Sequence, residues 1–480
     1  MSQRALNSSS EEDVASGERR SRIVPAIVGS ALLMVTLEVT VMANALPSIA
    51  HALREDPLRL NVAMTMYLVS SAVFLPVCGW VADTFGARRV LVASMLLFAV
   101  SSAACGLSQS LLQLVLARIA QGASGAMLMP VARLLLVRTT PRHELVGALA
   151  TLTIPATIGP VLGAPLGGFI VTYFDWRWIF FINLPIAVTG VVLVLLFVPD
   201  VKEEGPASPL DWRGVLLAGL GLAAFVTAFD NVAQPYLPAA AVPGLFALAL
   251  AAFCLYVRHA RGNPRAVIDL NLFRKPAFLA ANVGSVFMRT GMSALPFLLA
   301  MLLQVGLGMS AFAAGTMTFI SGAASLLMKF AAPPILRRFG FRAVLVVNGA
   351  LVALTIASLG LITPSTPHWL VMAALAIGGF FRSLQFSSIN TLAFADLQPE
   401  SMSRASTMLS MSGQVVNSIG IAGAAVLLRA FQTLRGETHL TSGAVGAAIV
   451  VIGLLGFLSV AWFAKLPPGT GDDLQAPRSA

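Results

Sequence analysis

Two residues of opposite charge stand where charge is costly. Glu38 lies in the stretch 37–47, LEVTVMANALP, near one end of the first long apolar run, and of the 21 acidic residues it is the only one outside a tail, a loop or the end of an apolar run. A carboxylate in hydrocarbon must face a partner or a water-filled cavity, and by default it marks a functional site. Such a group can take up and release a proton; the alternative is a helix-packing residue held protonated and hydrogen-bonded. Arg118 opens the pattern Arg-x-x-Gln-Gly-x-x-Gly in the fourth apolar run. With the first run crossing outward and the fourth inward, both residues lie roughly 10–12 Å below the same surface at about 1.5 Å per residue. Burial and a neighbouring guanidinium act on a carboxyl's proton affinity in opposite senses, so water or substrate beside such a pair can tip the balance.

Other polar residues interrupt later runs. Arg289 (ninth run) and Arg382 (twelfth) lie deep and are expected to face a cavity, whereas Lys329 (tenth) is near the end of its run, where a long side chain can snorkel. The thirteenth run carries Ser410, Gln414, Asn417 and Ser418 at helical spacing. Gln414 and Asn417 are candidates to line a substrate cavity, and equally candidates for hydrogen bonds between helices.

The elements that must position these residues follow from composition. Of 480 residues, 57% are hydrophobic and only 11% charged, far outside the soluble norm. Apolar runs of 18 or more recur from end to end, each long enough to cross a bilayer as a helix. Fourteen spans are expected, at about 23–46, 60–82, 90–108, 111–137, 145–173, 178–198, 214–230, 237–257, 277–304, 309–334, 343–362, 368–394, 403–431 and 441–464. The chain is thus an all-α integral membrane protein. The net charge of +10 reports on topology before anything else: with the N-terminus inside, 21 of 31 basic residues fall in cytoplasmic segments and five in external loops. Both termini are expected in the cytoplasm. The three cysteines (Cys78, Cys105, Cys254) lie in apolar runs and suggest neither disulfides nor a metal site.

A weak internal repeat joins the two ends of the chain. Residues 79–91 follow the second span and 336–345 follow the tenth, each with the form Phe-Gly-x-Arg-x-Val-Leu on an expected cytoplasmic turn. This divides the chain into a tail (1–22), a six-helix bundle (23–198), a linker with two accessory spans (199–276), a second six-helix bundle (277–465) and a tail (466–480). Parallel repeats of this kind build transporters whose site lies near the midplane, between the halves. In the first copy, Gly79 is expected to allow close helix approach and Gly86 a positive φ, while Asp83 can accept hydrogen bonds from Arg88 or from a helix N-terminus of the other half. A topology signal is the other reading of the loop. In the second copy Arg337 stands where Asp83 would be.

Five stretches, 37–47, 79–91, 118–125, 155–168 and 176–185, together resemble the major facilitator superfamily, and within it the fourteen-span drug:proton antiporters of the EmrB/QacA type. The resemblance covers essentially the whole chain. It implies two six-helix bundles with two extra central helices, proton-coupled multidrug efflux with antibiotic resistance as its outcome, and a place in the cell inner membrane. It also implies that Gly79, Asp83, Gly86 and Arg88 form an intracellular latch for the outward-facing state. Span 5 has Gly159, Gly163 and Gly167 at i, i+4 and i+8, the small-residue pattern for close helix contact, with Pro155, Pro160 and Pro165 expected to bend it. In the resembled family this Gly-Pro stretch marks exporters and is thought to seal the contact between the halves. The family pattern has Asp at Glu38 and Asn at Ala43, with Asn44 here one place later.

No phosphate-binding Gly-Lys-Ser/Thr loop is present, so ATP is not the expected energy source. No metal-ligand cluster and no nucleophile–base set stands out either, so an enzyme, a cofactor and a nucleic-acid partner are not expected. The expected partners are a small-molecule substrate, protons and the bilayer, with none among proteins. Proton-driven export of amphiphiles is the leading function. A transporter of a defined anionic metabolite, by symport or exchange and using Arg289 and Arg382, is the alternative.

Overall fold

A computed structural model describes residues 2–139, 145–199, 210–233, 237–238, 240–263, 270–395, 397, 399–437, 439–467 and 470. Asp230, an acid at the end of the seventh span, has its side chain outside what is described. Among the described residues, thirteen helices are long and apolar enough to cross a membrane: α1 (Val24–Leu53), α2 (Pro57–Phe85), α3 (Ala87–Gly106), α4 (Leu111–Leu136), α6 (Trp178–Phe197), α7 (Trp212–Phe229), α8 (Ala241–Arg261), α9 (Pro276–Gly306), α10 (Ala311–Ala332), α11 (Pro334–Leu359), α12 (His368–Leu392), α13 (Met408–Leu434) and α14 (Ser442–Phe463). The fourteenth, α5 (Leu145–Tyr173), is a continuous helix of 29 residues despite its three prolines. The protein is an all-helical, multi-pass membrane protein.

Helix starts are set by local chemistry. Asp56 accepts a hydrogen bond from the Leu58 amide and Pro57 occupies the first helical position of α2. Ser310 and Thr441 cap α10 and α14 in the same way, accepting from the amides of Ala313 and Ala444. Most spans end within a few residues of expectation. Three differ: α1 runs to Leu53, seven residues past its expected end, α8 lies four residues further along, and α11 begins at Pro334, because the helix runs on through Arg337 and Arg338 and turns only at Gly340 (φ 75°, ψ 158°). Gly86, its counterpart in the first repeat, also has a positive φ (90°, ψ 130°). Both repeats therefore reverse direction on a backbone conformation that side chains with a Cβ avoid.

The helices pack as two bundles. In the first, α1 packs on α5, α4 and α6, α4 on α2 and α3, and α3 on α6; in the second, α9 packs on α13 and α14, and the α10–α11 pair on α12 and α14. Two seams join the bundles. At one, α5 meets α10: a Cβ on Gly168 would strike the Ala311 carbonyl, one on Gly315 the Ala164 carbonyl, and one on Gly322 would sit 3.0 Å from Val161 Cα. At the other, α2 meets α13, where Gln414 donates to Ser71 Oγ at 3.3 Å and Met411 packs with Leu75, Cys78 and Ala126.

The accessory helices are not free-standing. α7 lies along the α2–α13 seam, with Leu222 and Val226 against Val69, Ala72, Val73 and Val415, and Phe229 facing Gly423. The Trp212 ring at its start meets Trp80 edge-on at 5.6 Å. α8 packs on α7, and the end of one is tied to the start of the other by a 2.7 Å contact between His259 Nε2 and Asp211 Oδ1.

Candidate transport site

Glu38 and Arg118 meet. Glu38 Oε1 accepts from Arg118 Nη1 at 2.7 Å, and both residues are 1% exposed. The other carboxylate oxygen accepts from Asn183 Nδ2 at 2.7 Å, and that amide also donates to Ser102 Oγ at 3.0 Å. Arg118 is held on its far side: Nη1 also donates to Gln121 Oε1 at 2.7 Å, Nε donates to the Ala63 carbonyl at 3.3 Å, and the guanidinium lies 4.3 Å from the centre of the Tyr67 ring. One site thus draws side chains from α1, α2, α3, α4 and α6. Gln121 Nε2 and Asn183 Oδ1 are buried there without a partner, so the network holds spare hydrogen-bonding capacity.

Residue type and spacing pointed to Glu38 and Arg118 but missed the amides. Gln121 is three residues after Arg118 and shares its helix face, a signal available in the sequence. Asn183 carries no charge; it lies in the stretch 176–185, whose resemblance marked the segment without giving the amide a role. Asn44, six residues beyond Glu38 on α1, makes another unforeseen contact. It donates to the Ala164 carbonyl at 2.9 Å and to the Ala311 carbonyl at 3.1 Å, and Gln304 of α9 donates to its Oδ1 at 3.0 Å. The helix that carries the acid therefore also bridges the two bundles.

The expected latch is arranged differently. Asp83 pairs with Arg138 at the end of the α4 helix (2.8 Å), not with Arg88. Arg88 donates to the Leu195 carbonyl of α6, so both described bonds stay inside the first bundle. The reason is reach: Gly86 turns the chain so that Arg88 opens α3 beside α6, leaving Asp83 on the α4 side. Gly79 makes no close approach, since a Cβ there would meet nothing within 4 Å. Gly86 has the expected positive φ.

The glycine face of α5 also differs from the resemblance. A Cβ on Gly159 or Gly163 would strike Thr36 Oγ1 or Thr40 Oγ1, and one on Gly167 would sit 3.0 Å from Val41 Cα. These glycines seat α5 on α1 within one bundle, and a Cβ on Gly29 of α1 would lie 2.8 Å from Pro155 Cγ. Contact between the bundles falls to the adjacent face, at Val161, Ala164 and Gly168. A helix turns about 100° per residue, so a shift of one position changes the neighbour. Pro160 is exposed and Pro165 half-buried.

Gln414 and Asn417 act as links between helices. Gln414 crosses a seam to Ser71, and Asn417 accepts from Ser293 of α9 within its own bundle. Arg289 is buried (8% exposed) and its Nη1 has no partner. Arg382 donates to Ser321 Oγ at 2.5 Å, and its buried Nη1 is likewise unpartnered.

Comparison with known proteins fits a bundle of this kind. Residues 28–421 match the Major Facilitator Superfamily, and the chain belongs to that superfamily of membrane transporters. Among its relatives are proteins named "Putative multidrug resistance protein MdtD". That of Serratia proteamaculans is 35% identical over 92% of this chain and 93% of its own length. That of Cronobacter sakazakii is 37% identical over 84% and 86%, and that of Salmonella heidelberg 38% identical over 86% and 87%. Solved structures share the fold at low identity. A bacterial homologue of the human lysosomal transporter Spinster, inward-facing and unoccupied, has a TM-score of 0.65 at 15% identity, covering 93% of this chain and 96% of that one. A D-xylose–proton symporter gives 0.65 at 14%, covering 94% and 98%.

Proposed function

We propose that this protein is a proton-coupled secondary transporter that exports amphiphilic small molecules across the cell inner membrane, with both termini in the cytoplasm. The observation that carries the reading is the buried Glu38–Arg118 pair on the helix that also spans the seam through Asn44. Protonation of Glu38 removes the charge that faces Arg118, while Gln121 and the Ala63 carbonyl still hold the guanidinium. The α1–α4 tie then weakens, and α1 is free to shift with α5, which is seated on it at Gly159, Gly163 and Gly167. Because Asn44 lies about 9 Å further along the same helix, that shift reaches the α5–α10 seam. Substrate release at one surface and proton uptake at the same surface thus compete for one arrangement of α1. The multidrug-resistance names of the relatives and the basic-residue census support the substrate class and the orientation.

Proton flux in liposomes of purified protein tests the coupling. One charge crossing 100 mV is worth about 2.3 kcal/mol, enough to sustain a substrate gradient of a few tens of fold. Glu38→Gln is expected to keep substrate exchange but lose uphill export, with Glu38→Asp keeping part of it. A Glu38→Gln protein that still concentrates substrate would make Glu38 structural. Single cysteines at Ser8 and Arg435 test the orientation: only the second should react with an impermeant reagent from outside the cell.

A further inference from the structure

The second bundle holds two cations with no acid against them. Among the described residues, neither Arg289 nor Arg382 has a carboxylate within ion-pair distance, and each keeps a buried Nη1 without any hydrogen-bond partner. Leaving a charge in such surroundings is unfavourable unless something pairs with it. Both guanidiniums pack closely on a glycine. A Cβ on Gly413 would lie 2.6 Å from Arg289 Nη2, and one on Gly378 would lie 2.7 Å from Arg382 Nη1.

Their position is as telling as their lack of partners. Gly413, beside Arg289, is followed by Gln414, which crosses the α2–α13 seam to Ser71. Ser321, which holds Arg382, is followed by Gly322, which packs on Val161 across the α5–α10 seam. Arg289 thus packs on α13, the second bundle's helix at one seam, and Arg382 on α10, its helix at the other. Counted along α9 and α12, each is about 15 Å or more from either helix end, deeper than a lipid headgroup. Arginine presents a planar fork suited to an oxyanion.

We propose that the inward side of the second bundle is a subsite for an organic anion, in which Arg289 and Arg382 hold the carboxylate or sulfonate of an amphiphilic substrate. The apolar remainder of that substrate lies toward the first bundle. This rests on the transport reading above and narrows it: the exported amphiphiles carry a negative group. The carboxylate or sulfonate supplies the negative charge that no described acid places against the two guanidiniums.

Calorimetric titration of the purified full chain in maltoside detergent tests this with three ligands that share one ring: naphthalene-2-sulfonate, 2-naphthalenemethanol and 2-naphthylmethylammonium. The sulfonate is expected to bind roughly tenfold or more tightly than the alcohol, as suits charge-assisted hydrogen bonds, and the ammonium more weakly than either. Arg289→Gln and Arg382→Gln should each reduce the preference while leaving binding of the alcohol in place, and Arg289→Lys should keep part of it. Equal binding of all three ligands by the unaltered protein overturns the proposal, whatever the variants do. So does a preference that survives both glutamine substitutions. The outcome is separable from the coupling: cations and anions exported alike, but only with Glu38 present, would remove the subsite and leave the transporter. Anion preference in a protein that pumps without Glu38 would do the reverse.

Discussion

The two bundles repeat a backbone and differ in charge. Gly340 lies 254 residues after Gly86, and the same step carries Arg88 to Arg342 and Asp83 to Arg337. The shared part is mechanical. Each glycine reverses the chain at positive φ, and each following arginine donates to a carbonyl of the last helix of its bundle, Arg88 to Leu195 and Arg342 to Ala464. Counted in sequence, the same step carries Glu38 to Met292 and Arg118 to Met372, so neither charge of the ion pair recurs in the second repeat. Its own buried arginines stand elsewhere and unpaired. The first bundle pairs its buried acid internally, and the second holds Arg289 and Arg382 with no acid against them.

Removing one arginine from each bundle exposes that difference most sharply. Arg118→Ala strands a buried carboxylate and should cost about 3–5 kcal/mol, seen as early thermal unfolding in detergent. Arg289→Ala removes a cation that has no partner, and should leave unfolding unchanged or delayed. Equal losses in the two proteins would break the contrast. The glycines test what the bundles share: Gly86→Ala and Gly340→Ala should each cost about 1–3 kcal/mol, because Ala is strained at these angles. A marked inequality would mean that only one repeat depends on its turn. The smallest effect is expected at Asp83. Its side chain is 36% exposed in the pair with Arg138, so Asp83→Asn should change stability by no more than about 1 kcal/mol. Slower transport by that variant, with expression intact, would show that the pair acts in the cycle rather than in the fold.

Span number and order were legible because membrane crossing demands a minimum length of apolar residues, and no other described segment meets it. The start of α11 was not, because Arg337 and Arg338 look like a loop yet continue the helix to Gly340. Depth was legible only in part: a fixed rise per residue put Glu38 level with Arg118, and the two do meet, but the count assumed that α1 ends near residue 46, whereas it runs to Leu53. Azimuth was harder. Spacing showed that Gly159, Gly163 and Gly167 share one face of α5, but not that Thr36 and Thr40 of α1 fill it while Val161, Ala164 and Gly168 meet the other bundle. Neutral amides were hardest, since Asn183 and Asn44 shift neither charge nor periodicity, and their value lies wholly in what they reach.

The placement of α7 gives the protein a front and a back. It covers one seam, leaning on Val69, Ala72 and Trp80 of the first bundle and on Val415 and Gly423 of the second. On the other seam Leu162, Phe169 and Phe319 stay exposed. Lipid therefore meets one seam behind a shutter and the other as a bare edge, closed only by the packing of α5 on α10. A parting of α2 from α13 would have to carry or flex α7, whereas a parting of α5 from α10 meets no such cover.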